Sequence, residues 1–256
     1  MGPQKILLDG RVLWLGVQWA APRTDESILC IIKKESITFV AVSGLRLVVS
    51  WQFRLKEPAS ESTVFMIPPT IASFLSAEAV QTYLELKAEN GTVSITTWDD
   101  LGSYELRWRS NAHSFNPPEE FNRMLTLPSH LLEVDYLTIS DAAHQAVARL
   151  VEMENEIHRT KLAILVDFGP GRLSINGREI ESGPGAQYYF DPRLIVRALE
   201  FIKAEKVKVG LTELKPKNRA ILSFVANYED WLVHCALLSI GADTQKLYPL
   251  PPGRNR

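Results

Sequence analysis

"YYFDPRLIVRALEFIKAEKVKVGLTE", residues Tyr188 to Glu213, passes from an aromatic strand end through a short helix into an alternating strand with almost no loop. Asp191 stands where an N-cap carboxylate accepts orphan backbone N–H groups, and Pro192 stands just inside, where a missing N–H costs nothing. At about 100° per residue, Leu194, Ile195, Ala198, Leu199 and Ile202 gather on one side of a helix drawn over "DPRLIVRALEFIK". Arg193 and Arg197 fall opposite. Lys203 lies at the flank, where its stem covers apolar surface while its charge stays in water.

The same arrangement occurs earlier in the chain. A shift of 123 residues places Pro69 on Pro192, Ile71 on Leu194, Leu84 on Val207 and Leu86 on Val209 without a gap. Around the earlier copy, "ESILCIIKK", "ESITFVAVS" and "LRLVVSWQFRL" alternate as strands, and "FMIPPTIASFLSAEAV" carries a helix opened by prolines. "YLELKAENGTVSITTW" and "GSYELRWRS" follow as strands, with Asn90-Gly91 as the pair a tight hairpin turn prefers. Around the later copy, "TKLAILVDF", "GRLSING", "AQYYF", "EKVKVGLTE", "NRAILSFVA" and "EDWLVHCALLSI" read as strands. Each copy also has a helix near its front. "QKILLDGRVLWLGVQWAAP" reads as a strand and a helix stopped by Pro22, or as a hairpin turning at Asp9-Gly10. In "YLTISDAAHQAVARLVEM", Asp141 is expected to cap a helix with Ala143, Ala146, Val147 and Leu150 as its stripe. "RSNAHSFNPPEEFNRMLTLPSHLLE" reads as the connector between copies. The expected architecture is α+β, with similar domains over residues 1–122 and 123–243, each with two helices packed on antiparallel sheets. A flexible Pro-rich tail covers 244–256.

Composition narrows the function classes. The chain has 256 residues, 46% hydrophobic and 23% charged, which is the profile of soluble globular proteins. It contains no apolar run of the roughly 18 to 20 residues that cross a membrane, and its start lacks the apolar stretch of a secretory signal, so a cytoplasmic location is expected. Cys30 and Cys235 sit in apolar strand-like runs and read as core thiols. The formal net charge of -2 leaves room for a local basic surface but not for a broadly basic nucleic-acid binder. "DFGPGR" from Asp167 contains a kinase triplet without its companion motifs, and reads as a strand followed by a turn. The histidines show no metal-ligand spacing, with His144 and His158 read as helix-surface or loop residues, and no Ser-His-Asp signature or phosphate-cradling loop appears. No cofactor, metal or catalytic group is expected.

Two domains built from doubled helix-and-sheet units resemble the DNA sliding clamp fold, with the closest local likeness to the bacterial DNA polymerase III beta clamp. Tyr189 to Gly210 is similar to the strand, helix and strand of that family's last domain. Phe65 to Ser94, followed by "YELRWRSNAHSFNPP", is similar to the end of an earlier clamp domain. The resemblance runs from about Gln4 to Gly241 as order and spacing. Two domains per chain depart from the three of the beta clamp and match archaeal and eukaryotic clamps, so a closed ring implies three copies. The family encircles duplex DNA, lines the hole with helices and offers an apolar pocket to DNA polymerases and other partners; it has no catalytic residues.

Phosphate contact requires Lys or Arg on the helix faces turned away from the sheets. The helix after Asp191 has Arg193 and Arg197 there. The helix after Asp141 has Asp141, Gln145, Ala148 and Glu152, with Arg149 at the edge; the first offers Arg11, Leu15 and Gln18, and the second Thr70, Ser73 and Ala77. The DNA-facing candidates are therefore Arg193, Arg197, Lys203, Arg149 and Arg11, with Arg159, Lys161, Lys206 and Lys208 near element ends. By analogy with the family, the partner-peptide pocket falls on Phe115, Pro117, Phe121, Met124, Leu238 and Ile240. Each is equally suited to core packing. Gln245, Leu247, Tyr248 and Leu250 in the tail loosely resemble the peptides that clamp partners insert, and also fit a polyproline-like terminus.

Overall fold

The computed structural model of the chain describes residues 4–21, 27–43, 46–59, 62–77, 83–89, 91–99, 102–110, 119–154, 164–169, 171–175, 178–181, 183, 185–215 and 218–240. It is an α+β fold with antiparallel sheets and divides into two compact units: Met1–Phe121 with Asn227–Val233, and Asn122–Ala226 with His234–Arg256.

The first unit opens with β1 (Gln4–Asp9), which runs directly into α1 (Gly10–Ala20). Asp9 is the N-cap and accepts the Arg11 N–H at 2.9 Å, so the strand-then-helix reading holds and the hairpin does not. Strands β2 (Ile28–Lys33), β3 (Ser36–Ser43), β4 (Leu47–Arg54) and β5 (Thr63–Ile67) follow, then α2 (Pro69–Ala77). The unit ends with β6 (Tyr83–Glu89), β7 (Thr92–Asp99) and β8 (Gly102–Arg109). Two strand orders result, β5-β2-β3-β4 and β1-β6-β7-β8. In the second, Ile6, Leu86 and Ile95 stand opposite one another, and all three are buried. Between β6 and β7, Gly91 has φ 76, a conformation that glycine adopts without steric cost. Helix α1 packs on α2 and on β1, β3 and β4. A side chain at Gly16 would drive into the Phe39 ring, so glycine is what lets α1 lie this close to β3.

The second unit repeats this order. Strand β9 (Leu132–Asp135) runs into α4 (Tyr136–Glu154), and β10 (Ile164–Gly169), β11 (Arg172–Ile175), β12 (Arg178–Glu181) and β13 (Ala186–Phe190) follow. Then come α5 (Pro192–Leu199), β14 (Lys206–Leu214), β15 (Arg219–Asn227) and β16 (Trp231–Leu238), of which Asn227 and Trp231–Val233 are counted with the first unit. Strand orders are β13-β10-β11-β12 and β9-β14-β15-β16, the counterparts of those in the first unit. The likeness extends to register: Leu8 opposite Leu84 corresponds to Val134 opposite Val207, and the cap residues Asp9 and Asp135 each follow by one.

Several expectations change. The expected connector contains a helix, α3 (Glu119–Met124), and its last residues belong to β9. Asp141 does not cap α4; Asp135 does, accepting the Thr138 N–H at 2.8 Å and the Thr138 hydroxyl at 2.9 Å. The Asp135 carboxyl is held below its usual range chiefly by that backbone bond, then by the hydroxyl. Because α4 starts six residues earlier than Asp141 implies, its buried stripe is Ile139, Ala142, Ala143 and Ala146, with Val147 half-buried. Helix α5 ends at Leu199, short of Lys203.

Both cysteines are buried, and burial pushes both thiols up. Asp167, from the kinase-like triplet, is buried on β10, paired with Arg172 at 2.7 Å and receiving the Gln187 amide at 3.1 Å. That carboxylate serves the sheet.

His234 is buried at 2% exposure with Nε2 3.0 Å from the Ser223 hydroxyl, and burial lowers its pKa to about 4. The unfolded chain protonates histidine near 6.5, so between these values the unfolded state binds more protons than the native one. Stability is expected to be intact above about pH 6.5 and to fall by roughly 3 kcal/mol as pH drops toward 4. Urea melts of the wild type and His234→Gln check this: the difference between their pH profiles should be confined to that window, and parallel profiles would refute it.

Candidate nucleic-acid interface

Helix α5 is built as its sequence implies at its start. Asp191 accepts the Arg193 N–H at 3.0 Å, Pro192 occupies the first turn, and Ile195, Ala198 and Leu199 are buried. Leu194 is half-buried, and Ile202 packs inward from beyond the helix end. Arg193 and Arg197 are exposed on the opposite side, and Lys203 is exposed past the helix. The arginines have different surroundings. Arg193 turns back onto its own cap, with Nε and Nη2 each donating to a different Asp191 oxygen at 3.0 Å. This two-pronged contact is the geometry in which guanidinium would otherwise hold phosphate. Arg197 stands in the last turn, where the helix dipole favours a cation.

Helix α4 packs on α5, and the Tyr136 hydroxyl donates to the Leu199 carbonyl at 3.3 Å. Its exposed positions are Leu137, Asp141, His144, Gln145, Ala148 and Arg149. The His144 Nδ1 lies 2.8 Å from the Ser140 carbonyl, a helix-surface contact as expected. Leu137 is 68% exposed, an apolar group on a face where the clamp resemblance implies cations. In the first unit, α1 exposes Arg11 and Gln18, with Leu15 half-buried. Helix α2 exposes Thr70, Ser73 and Phe74, the last at 54%. Phe74 was not singled out by sequence, although its place between Ser73 and Leu75 opposite the Ala72 side was visible. Lys206 pairs with Glu133 at 3.1 Å, and Lys208 is half-buried on β14. Among the described residues, α5 exposes two helical cations, Arg193 and Arg197, and α1, α3 and α4 expose one each, Arg11, Arg123 and Arg149.

The expected peptide pocket is only partly placed. Met124 and Ile240 are buried, and the Ile240 N–H donates to the Tyr189 carbonyl at 2.7 Å. Phe121 and Leu238 are half-buried. Phe115, Pro117, Pro22, Asn90, His113, His158, Arg159, Lys161 and the tail with Gln245, Leu247, Tyr248 and Leu250 lie outside the described residues, as do the side chains of Ala77, Leu150 and Glu152. Among the described residues there is no group of three or more His, Cys, Asp or Glu able to hold a metal ion, and no helix is long and apolar enough to cross a membrane.

Solved structures share this fold. The DNA polymerase III beta subunit of Thermotoga maritima superposes with TM-score 0.63 at 12% identity, over 94% of this chain and 66% of that one. The DNA polymerase sliding clamp of Bacillus subtilis gives 0.60 at 12% identity, over 93% and 64%. That of Pseudomonas aeruginosa gives 0.61 at 13% identity, over 94% and 68%. The chain thus spans about two thirds of the length of the clamps it matches, slightly less for the first two. No protein-family model and no curated protein matches the sequence.

Asp191→Asn separates the two uses of Arg193, since asparagine still caps a helix but leaves no ion pair. The variant is expected to melt close to wild type and to bind duplex DNA about two- to fivefold tighter at low salt, because one competing anion is removed near phosphate. Arg197→Glu is expected to weaken the same binding. Filter binding across a salt series checks both, and unchanged affinity in the two variants would remove α5 from the interface.

Proposed function

We propose that this chain is a non-catalytic, clamp-like protein that associates with duplex DNA in the cytoplasm and serves there as a processivity or partner-docking platform. The observation that carries this reading is the fold likeness over more than nine tenths of the chain to DNA polymerase sliding clamps. The internal repeat supports it. Two units with the same element order, each with two helices on two antiparallel sheet segments, act as two clamp-like domains. On this reading Arg193, Arg197 and Lys203 face DNA, and Arg149 and Arg11 contribute as well. Partner peptides, from a DNA polymerase or other clamp-binding proteins, are assigned to Phe115, Pro117, Phe121, Met124, Leu238 and Ile240. A closed ring of two-domain protomers would take three chains.

A second reading has a specific observation in its favour. Leu137, Asp141 and Phe74 occupy exposed helix positions, whereas helices lining a hole around DNA favour cations. A clamp-fold scaffold that binds only proteins, or one subunit of a mixed ring, satisfies that pattern.

Retention on DNA distinguishes these readings. A ring is expected to remain on nicked circular plasmid and to be lost when the plasmid is linearised; an ordinary binder remains on both, and a protein-only scaffold on neither. The solution mass should be three times the 28.8 kDa of one chain for a homotrimer. Retention on neither DNA form, with Arg193→Glu/Arg197→Glu behaving as wild type, would overturn the DNA assignment.

A further inference from the structure

On the first unit, Trp231 is the hub of an aromatic stack. Its ring lies 3.8 Å from that of Tyr228 at an interplanar angle of 9°, 4.6 Å from Trp19 and 6.1 Å from Phe53. The stack borders two surface clefts. One, of about 650 Å³, places Leu8, Val12, Leu15 and Leu55 beside Phe53 and Trp231. The other, of about 480 Å³, is lined by Lys33, Lys34, Tyr228 and Leu232 beside Trp231. Glu35, Arg54, Asp230 and Trp231 belong to both, so the clefts adjoin along a common wall. Each volume falls in the roughly 300–1,000 Å³ range of ligand sites.

Backbone bonds hold that wall in place. The Leu55 N–H donates to the Glu35 carbonyl at 2.9 Å and the Ala59 N–H to the Lys34 carbonyl at 2.8 Å, tying the β2–β3 turn to the segment after β4. The Arg54 N–H donates to the Asp230 carbonyl at 3.2 Å. The groove is therefore largely preformed, which lowers the ordering cost of binding.

Its charge is opposite in sign to that of the whole chain. Arg11, Lys33, Lys34, Arg54 and Lys56 line the clefts against Asp9, Glu35 and Asp230, an excess of two cations in a protein of net charge -2. Asp9 is already engaged, by Lys56 at 3.2 Å and as the α1 cap. Among the described residues, no ion pair within 4.0 Å holds Lys33, Lys34 or Arg54.

We propose that this groove docks a short acidic peptide segment of a partner protein, with a leucine or aromatic anchor against Val12, Leu15, Phe53 and Trp231 and its carboxylates on the Lys33, Lys34 and Arg54 rim. An apolar floor beside a cationic rim recognises an anchor and its flanking charges together. A stacked nucleobase fits less well: Tyr228 already takes the Trp231 ring face, and Glu35 and Asp230 repel a phosphate chain. The site is distinct from the expected peptide pocket and requires neither ring closure nor DNA contact.

Fluorescence anisotropy with fluorescein-labelled Asp-Glu-Leu-Phe-Asp-Glu tests the proposal on the full-length protein. Saturable binding is expected, with little for Lys-Arg-Leu-Phe-Lys-Arg or Asp-Glu-Ser-Ser-Asp-Glu. Lys33→Glu/Lys34→Glu should weaken it about tenfold or more, and added salt should weaken it too. Both lysines are exposed, so thermal melting should stay unchanged; if it does not, the milder Lys34→Gln carries the test with a smaller loss. No saturable binding of the acidic peptide, equal binding of the basic one, or indifference to the lysine changes would overturn the proposal. Tighter binding of fluorescein-labelled oligo-thymidylate, lost in the same variant, would overturn it in favour of single-stranded nucleic acid. Because these readouts use no duplex DNA, they stand or fall separately from plasmid retention.

Discussion

A carboxylate at the point where a strand becomes a helix organises this protein. Asp9, Asp135 and Asp191 each end an extended segment and accept an N–H from the first turn of the helix that follows. Two of them are also held by pairing, Asp9 opposite Tyr83 and Asp135 opposite Lys206, so the point at which each helix leaves its sheet is set by a neighbouring strand. A single cap contributes only about 1 kcal/mol, far less than burial of the apolar stripes it aims. Its contribution is direction. Without a loop at the junction, α1 and α4 start over their own sheets, and Leu13 and Val17 in one, Ile139 and Ala143 in the other, are buried.

This logic explains which parts of the fold were legible from sequence. The long strands and the Pro-opened helices carry local signals, and the 123-residue spacing preserved them in both copies. Strands β9 and β12 have four residues each, too short for alternation to separate them from a turn or a helix start. Asp141 suits a cap by residue type, as does Asp135, but Asp135 lies at the end of a paired strand. Pairing with β14, more than 70 residues away, settles the matter.

The candidate site was legible as residue types but not as contacts. Sequence places Arg193 and Arg197 on one face, and the structure agrees, but spacing gives no sign that Arg193 folds back on Asp191. The helix dipole gives a reason. A guanidinium near the positive N-terminus is unfavourable unless an anion neutralises it, whereas Arg197 near the C-terminus is favourable without help. The aromatic hub was less accessible still: Trp19, Phe53 and Trp231 come from segments more than 170 residues apart at the extremes, and no periodicity connects them.

The repeat also shows how one architecture carries two surfaces. In the first unit, the turn between β2 and β3 leaves Lys33 and Lys34 exposed beside the Trp231 groove. At the matching turn in the second unit, between β10 and β11, the cation is Arg172, drawn onto the buried carboxylate of Asp167. There the charge is spent inside the sheet, and exposed cations appear instead on α5. The counterpart α2 exposes Thr70, Ser73 and Phe74. Element order and strand order are shared, so this contrast comes from the side chains the two frames carry. Duplication preserved the frame that aims the helices, while the two copies place their exposed positive charge on different elements.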